Sequence, residues 1–282
     1  MRANSIFSHL TEETTVAEIK MILSSDYKKK RTVVMLEGED DVKVFRFLVS
    51  KDVTLVKAYG ASTTVDKFMP KHFPSEKRVI GIRDKDYQEK KKFERIFYCD
   101  YCCAEMMLIS DDETFERVCE NFYSGNQTPL ALRKEMLRKL FLISVIRKCS
   151  HKGKWGLKIS DTDLAKVINP DFEPRRAEVI KFINGYNSKS KITPEREKII
   201  AMHRDSGRVE DYLEITNGHD FLEVFRIYCT HNSSNNRRRS ITEKALGGAL
   251  RCAYTRDAFR QTSLYEQLLG YGEKNGLFIV RE

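Results

Sequence analysis

The spacing of hydrophobic residues changes once along the chain, near residue 112. Between residues 32 and 112, short unbroken apolar runs alternate with stretches in which apolar residues recur at helical spacing. Unbroken runs of this length are typical of strands buried in a parallel sheet. After residue 112 nearly all apolar positions follow helical spacing. We therefore predict a lead-in helix within 1–31, an α/β domain at 32–112 and a mainly α-helical domain at 113–282.

The α/β segment contains four predicted strands separated by short links. The first two are 32–38 (TVVMLEG) and 53–60 (VTLVKAYG); the others are 78–86 (RVIGIRDKD) and 95–100 (RIFYCD). Predicted helices lie at 41–51 and from the caps at 61–64 to about residue 73. The order β-α-β-α-β with short connections implies a parallel β-sheet flanked by helices.

The C-terminal half reads as a series of helices. The longest prediction spans 129–150, with Leu132, Met136, Leu140 and Ile143 on one stripe and basic residues opposite. Three short helices are predicted within 161–170, 173–186 and 193–206, and an apolar helix within 219–232. Two more are predicted within 241–276, and residues 153–160 form a short strand or a turn.

Acidic residues follow two of the predicted strands where each strand ends. Glu37 and Gly38 end the first, with Asp41 close behind, and Asp84 and Asp86 end the third. The carboxyl ends of parallel strands lie at one edge of a sheet, so Glu37 and Asp84 should share an edge. Carboxylate oxygens are the ligands that Mg²⁺ prefers. The pattern predicts a site for Mg²⁺ (or Mn²⁺) at this edge, although solvated loop acids or helix caps would leave the same residues.

Charge is distributed unevenly between the two predicted domains. Residues 32–112 carry 14 Lys and Arg against 15 Asp and Glu, whereas residues 113–282 carry 30 against 22. A basic surface beside a carboxylate cluster suits a polyanionic substrate, because Lys and Arg displace counterions from phosphates. A basic protein without a nucleic-acid partner would show the same balance.

The remaining composition favours a cytoplasmic protein. The sequence has no apolar run long enough for a membrane span, and its N-terminus lacks a secretory apolar region. The seven cysteines are irregularly spaced. Cys99 and Cys102 form a C-x-x-C motif with no second ligand pair, so we interpret the cysteines near it as buried hydrophobic residues rather than zinc ligands.

The two acidic motifs together resemble the signature of the TOPRIM domain, which topoisomerases, bacterial primases and several nucleases share. That signature is a strand ending in Glu-Gly with a following Asp, then a strand ending in Asp-x-Asp; here these are Glu37, Gly38, Asp41, Asp84 and Asp86. The resemblance covers about 32–112. Topoisomerases and primases need large additional domains that 282 residues cannot hold.

The whole chain is most similar to the compact OLD-like TOPRIM proteins, which include the effectors of PARIS-type anti-phage systems. The supporting stretches are EGEDDVKVF, the acidic Glu105 after the fourth strand, and NGHDFLEVF with His219 and Asp220. The resemblance implies a metal-dependent nuclease that acts as a toxic effector on host RNA, tRNA above all, or on DNA. It also implies a separate ABC-type ATPase partner, since this chain has no Walker A motif.

Roles for individual residues follow with their alternatives. Glu37, Asp84 and Asp86 are the predicted catalytic and metal-binding residues, with Asp41 and Glu105 as further metal ligands; Glu105 reads equally as a structural hydrogen-bond partner. Lys85, His219 and Arg237–Arg239 are candidate substrate contacts, against the alternative of solvated side chains. A homodimer in the active state would extend the grip of one compact site on a folded RNA.

Two other functions are compatible with the same residues. One is a metal-dependent nucleotide hydrolase, which would use the same carboxylates on a smaller phosphate ester. The other is a non-catalytic TOPRIM module that docks a partner ATPase or nucleic acid. Retention of all the motif carboxylates favours an enzyme over the module.

Overall fold

The computed structural model of the chain describes residues 11–59, 63–88, 93–159, 163–231 and 241–281. These residues form two compact units. The sheet unit takes the described residues of Met1–Asp84, Gln88–Asp100 and Arg256–Glu282, and the helical unit those of Lys85–Tyr87 and Tyr101–Thr255. Within these described ranges, no helix has the length and apolar character that crossing a membrane requires.

Four parallel strands form the sheet, in the spatial order β2-β1-β3-β4. They are β1 (Thr32–Leu36), β2 (Val53–Lys57), β3 (Val79–Arg83) and β4 (Ile96–Tyr98). The predicted α/β class with a parallel sheet is confirmed. Every residue of the two central strands, β1 and β3, is buried; their sequences are largely apolar, and Arg83 at the end of β3 is the one charged residue among them.

The helices account for most of the remaining described residues. In chain order they are α1 (Glu12–Ser24), α2 (Glu39–Phe45), α3 (Thr63–His72), α4 (Ala104–Ser110), α5 (Asp112–Phe122), α6 (Pro129–Lys152), α7 (Arg176–Tyr186), α8 (Pro194–Ala201), α9 (Val209–Leu213), α10 (Gly218–His231), α11 (Glu243–Ala253), α12 (Arg256–Arg260) and α13 (Ser263–Asn275).

Both faces of the sheet are covered by helices of the same unit. On one face, Val33 and Met35 of β1 pack with Ile19 of α1 and Phe68 of α3. On the other, aromatic contacts link α2 with α12 and β4 with α13, through the pairs Phe45–Phe259 and Phe97–Tyr271. The sheet is therefore the middle layer of three, which holds its strand ends in fixed positions.

Helix α2 is shorter than the sequence predicts. It ends at Phe45, whereas the apolar spacing predicts a helix to residue 51. The backbone at the predicted end pairs instead with the C-terminal segment: Ser50 donates its N–H to the Ile279 carbonyl at 2.8 Å, and Val49 forms a bridge with Val280. The sequence has helical periodicity here, but the backbone hydrogen-bonding groups near residue 50 pair with the C-terminal segment instead of continuing the helix.

Helix α6 forms the core of the helical unit. The predicted stripe of Leu132, Met136, Leu140 and Ile143 is fully buried, which confirms it. Two of the basic residues on this helix are buried as well. Arg133 donates to the Ile109 carbonyl at 2.8 Å and to the Asp112 carboxylate at 2.6 Å. Lys139 donates to the carbonyls of Asn169 and Pro170 at 2.8 and 2.9 Å.

Other differences from the predicted elements are local. Within 161–170 the described residues form a 3-10 turn at Leu164–Lys166 rather than a helix, because β-branched Val167 and Ile168 are followed by Asn169-Pro170. The last stretch contains three helices, not two, since α12 separates α11 from α13. Cys99, Cys102 and Cys103 are buried, as predicted.

Candidate metal centre

The carboxyl edge of the sheet brings Glu37 and Asp84 onto neighbouring strands. Leu36, the last residue of β1, is in register with Ile82 of β3. Glu37 follows Leu36 directly, and Asp84 follows Arg83 at the end of β3. Both acidic residues are partly buried, and the Glu37 side chain is only 13% exposed. This edge therefore carries two of the three carboxylates that the sequence predicts to be catalytic.

A buried arginine occupies the same edge and was not predicted. Arg83 ends β3, and its side chain is 1% exposed. Its Nε lies 2.8 Å from Glu37 Oε1, and its Nη1 donates to Asp66 Oδ2 at 2.6 Å. Its Nε also donates to the Asp84 carbonyl at 3.1 Å. One guanidinium thus forms ion pairs with Glu37 and with Asp66 of α3, and it donates a hydrogen bond to the backbone of Asp84.

Asp66 is the second residue here that the sequence did not single out. It lies on α3, and only 4% of its side chain is exposed. An unpaired buried carboxylate is strongly unfavourable, so Asp66 and Arg83 depend on each other for burial. The signal in the sequence is weak, because an Asp on an amphipathic helix and an Arg at a strand end both read as ordinary surface residues.

Asp41 caps the N-terminus of α2. Its Oδ2 accepts a hydrogen bond from the Gly38 backbone N–H at 2.8 Å. Gly38 is the N-cap residue of α2, and three acidic residues occupy the first turn. Negative charge in the first turn stabilises a helix through its dipole. This cap fixes the turn that follows Glu37, and the metal-ligand role of Asp41 stays a prediction.

Lys85 and Asp86 belong to the helical unit. Lys85 Nζ lies 2.6 Å from Glu214 Oε2 in a half-exposed ion pair, so a phosphate at Lys85 would compete with this carboxylate. Asp86 adopts a left-handed backbone with φ of 49° and donates its N–H to the Cys102 carbonyl at 2.7 Å. Burial raises the pKa of the next residue, Tyr87, above its ordinary value, so the phenol stays protonated.

Glu105 lies in a close contact between two helices of the helical unit. It occupies the first turn of α4, and α10 begins beside it at Gly218. A Cβ on Gly218 would lie 2.5 Å from Glu105 Oε2 and 2.8 Å from Glu105 Cβ, so only glycine leaves room for this carboxylate. A Glu105 oxygen and Cys103 Sγ lie within 4.8 Å of one another. They belong to a cluster of acidic and cysteine side chains that could hold a metal ion, and nothing identifies that ion.

The NGHD segment starts α10 and separates His219 from Asp220. Asn217 Oδ1 accepts the backbone N–H groups of His219 and Asp220 at 3.1 and 3.4 Å. His219 is exposed, whereas Asp220 is buried and forms a two-point ion pair with Arg147 at 2.5 and 2.6 Å. Asp220 therefore ties α10 to α6, and His219 remains accessible as the predicted substrate contact.

The predicted residues fall into three groups. Glu37, Asp41 and Asp84 belong to the sheet unit; Lys85, Asp86, Glu105 and His219 belong to the helical unit. Arg237, Arg238 and Arg239 lie outside the described residues. The sharing of one ion by Glu37, Asp84 and Asp86 stays a prediction, as do the roles of the remaining residues.

The sequence was also compared with known proteins. It matches no model of a protein family and no curated protein. The functional reading therefore depends on the residues described above and on the motif resemblance that the sequence itself carries.

Proposed function

We propose that the protein is a metal-dependent nuclease whose carboxylates lie at the carboxyl edge of the parallel sheet. The observation that carries the proposal is the placement of Glu37 and Asp84 at the ends of adjacent parallel strands. Catalytic and binding groups of open parallel sheets gather at this edge. The motif resemblance to TOPRIM nucleases supports phosphodiester hydrolysis as the reaction.

The donor atoms at this edge fit a hard divalent cation. Glu37, Asp84 and Asp86 offer carboxylate oxygens, which suit Mg²⁺ or Mn²⁺ and not a soft metal. Arg83 contacts one oxygen of Glu37, so an ion there would share that carboxylate with the guanidinium. The carboxylates would hold such an ion, which would supply charge stabilisation at the phosphate and lower the pKa of an attacking water.

The residues of the chain have distinct roles in the proposal. Glu37 and Asp84 would hold the ion, and Asp86, two residues after Asp84 in the sequence, is the third carboxylate of the motif. Arg83 is a positioning residue, because its contacts with Glu37 and Asp66 fix the orientation of the Glu37 carboxylate. An orientation set in advance lowers the reorganisation needed on binding ion and substrate.

The biological setting of the proposal comes from the resemblance. In it, the nuclease is a toxic effector of an anti-phage system that cleaves host RNA, with tRNA favoured, or DNA. A separate ABC-type ATPase restrains it until infection, and a homodimer is the active form. An unrestrained nuclease would harm its own cell, which is the reason for expecting such restraint.

The test compares wild type with Glu37→Gln, expressed with the partner ATPase and its trigger. Glu37→Gln removes one metal-binding oxygen charge while keeping the side-chain shape. Sequencing of RNA and DNA ends should show new ends with wild type and none with Glu37→Gln. The matched control is Glu39→Gln, two residues away and largely exposed, which should cleave like wild type.

Three results would overturn the proposal. If RNA and DNA stayed intact when wild type was expressed with the partner ATPase and its trigger, the non-catalytic module would be favoured. The ion pair between Glu37 and Arg83 is also compatible with that module. Equal cleavage by wild type and Glu37→Gln would place the chemistry elsewhere. Hydrolysis of free nucleoside triphosphates without nucleic-acid cleavage would favour the nucleotide hydrolase.

A further inference from the structure

Two stretches of the helical unit contain basic residues and no acidic ones. Residues 136–159 carry seven Lys and Arg without one Asp or Glu, and residues 179–194 carry three lysines without one. Helical segments of ordinary proteins mix both charges, so stretches of one sign create a local positive potential. Whether this potential forms one surface depends on how the two stretches pack.

Asn187 joins the two stretches through its side chain. Its Oδ1 accepts the Lys158 backbone N–H at 2.7 Å, and its Nδ2 donates to the Lys158 carbonyl at 3.0 Å. Nδ2 also donates to the Ile183 carbonyl at 2.8 Å, at the end of α7. Asn187 is 4% exposed, so these bonds are shielded from water and hold the two segments in register.

Trp155 and Arg196 form a second connection. The Arg196 guanidinium lies over the Trp155 ring at 5.0 Å, and its Nη1 donates to the Lys191 carbonyl at 2.7 Å. The turn that carries Trp155 has left-handed backbone at Lys154 and Gly156, with φ of 51° and 67°. A stacked tryptophan and two left-handed residues give the turn one defined shape, so the lysines on it project from fixed positions.

Four lysines lie exposed on this framework: Lys154, Lys158, Lys189 and Lys191. We call them the lysine surface. Within the described ranges, none of the four forms an ion pair, whereas other cations of the helical unit are paired with carboxylates, as in Arg138–Glu173 and Arg226–Glu223. The nearest acids in the sequence are Asp161, three residues after Lys158, and Glu195, four residues after Lys191.

We propose that the lysine surface binds the phosphate backbone of a nucleic acid. Exposed ammonium groups on a fixed framework contact phosphates as point charges and release counterions. Trp155 is 9% exposed, so it supports the turn and offers no face for base stacking. Binding should therefore follow backbone charge and show little sequence preference. The inference deepens the proposed function, because it places substrate binding on residues separate from the carboxylates.

The test measures binding of the full chain to fluorescent duplexes of RNA and DNA in EDTA, by anisotropy. EDTA removes divalent ions, so the measured binding does not depend on cleavage. The lysine surface can therefore be tested even if the protein is not a nuclease. The test variant is Lys154→Gln/Lys158→Gln/Lys189→Gln/Lys191→Gln. We expect at least about a tenfold weaker affinity at low salt. On the DNA duplex, the slope of log K against log salt should be smaller in magnitude by about 3.6, or about 0.9 for each of the four lysines.

Two control variants and a measurement of vesicle binding make the outcome specific. Lys20→Gln/Lys67→Gln/Lys134→Gln/Lys244→Gln removes the same charge from exposed positions elsewhere and should keep near wild-type affinity. Replacement of the four surface lysines by Arg should also keep it. Equal weakening by both glutamine variants would overturn the proposal, since net charge alone would then explain binding. If the variant with the four surface lysines replaced by Gln lost binding to anionic lipid vesicles but bound the duplexes like wild type, the proposal would be overturned in favour of a membrane contact.

Comparing the two duplexes identifies the source of the phosphates. Stronger binding of the RNA duplex, reduced in the four-lysine variant, assigns the surface to RNA; the reverse assigns it to DNA. If wild type binds the two duplexes equally and the four-lysine variant binds both more weakly, the surface recognises backbone charge alone.

Discussion

Arg83 Nε lies 2.8 Å from Glu37 Oε1, and the arginine side chain is 1% exposed. The same guanidinium holds Asp66 at 2.6 Å. Arg83→Met would leave two largely buried carboxylates without their cation. Breaking such a buried pair by removing one partner destabilises a protein by about 3–5 kcal/mol. Urea denaturation should show this loss in the free energy of unfolding.

A second pair of variants checks the cause of that loss. Adding Asp66→Asn to Arg83→Met removes one of the stranded charges, so the double variant should be less destabilised than the sum of the single ones. Arg175→Met is the comparison, because Arg175 and its partner Glu178 are both exposed and their ion pair should contribute about 1 kcal/mol or less. Additive losses would show that Arg83 acts through packing alone.

Calorimetric titration tests the metal assignment directly. Wild type should bind Mg²⁺ or Mn²⁺, and Asp84→Asn should reduce or abolish the heat signal, because a carboxamide is a weaker ligand than a carboxylate. Glu39→Gln, on the exposed first turn of α2, should bind like wild type. An isotherm unchanged by Asp84→Asn would remove Asp84 from the site.

Gly218 should tolerate no side chain. In Gly218→Ala the new Cβ would lie 2.5 Å from Glu105 Oε2, and either Glu105 or the start of α10 must move. Overpacking of this kind destabilises by about 1–3 kcal/mol, and thermal unfolding should detect it. Gly270→Ala is the matched control, since it lies in α13 with no atom within 4 Å and should gain about 0.5–1 kcal/mol. Equal effects of the two substitutions would contradict the tight contact at Glu105.

Glu243 should make stability depend on pH near neutrality. Burial raises the pKa of Glu243 to about 7, helped by its hydrogen bond to Glu223 and opposed by His219 and Arg226. The unfolded chain releases this proton near the ordinary value of 4.5. Between these values the folded state binds more protons, so the free energy of unfolding falls as pH rises from about 4.5 to about 7.

Glu243→Gln should remove that dependence. The variant should match wild type at about pH 4, where Glu243 is protonated, and exceed it by ~1 kcal/mol at about pH 8, a figure reduced for solvent screening. Denaturation at several pH values measures the difference. Glu120→Gln, an exposed change in α5, should show a flat difference. A flat difference for Glu243→Gln as well would mean that the carboxyl is ionised throughout.

The sequence predicts the sheet well because its strands are explicit. The largely apolar runs of β1 and β3 predict buried strands. The alternation of strands and helices with short connections then predicts that the strands are parallel. Helix ends were harder, since the end of α2 depends on a C-terminal segment more than 200 residues away in the chain. No local pattern contains that information.

The candidate site shows the same limit. Glu37 and Asp84 could be found because a strand ending in acidic residues is a local pattern. Arg83 and Asp66 could not be found in this way, because they are 17 residues apart in the sequence and only the fold brings their side chains into contact. The burial of Arg133 and Lys139 was missed for the same reason, since their carbonyl partners come from other segments.

Trp155 is the only tryptophan of the chain, and it lies beneath the turn that carries Lys154. Its emission therefore reports on this part of the helical unit and on no other part of the molecule. The unlabelled protein has its own optical probe for events near the basic turn. Ligand binding and local unfolding there can be followed by intrinsic fluorescence, separately from changes at the sheet.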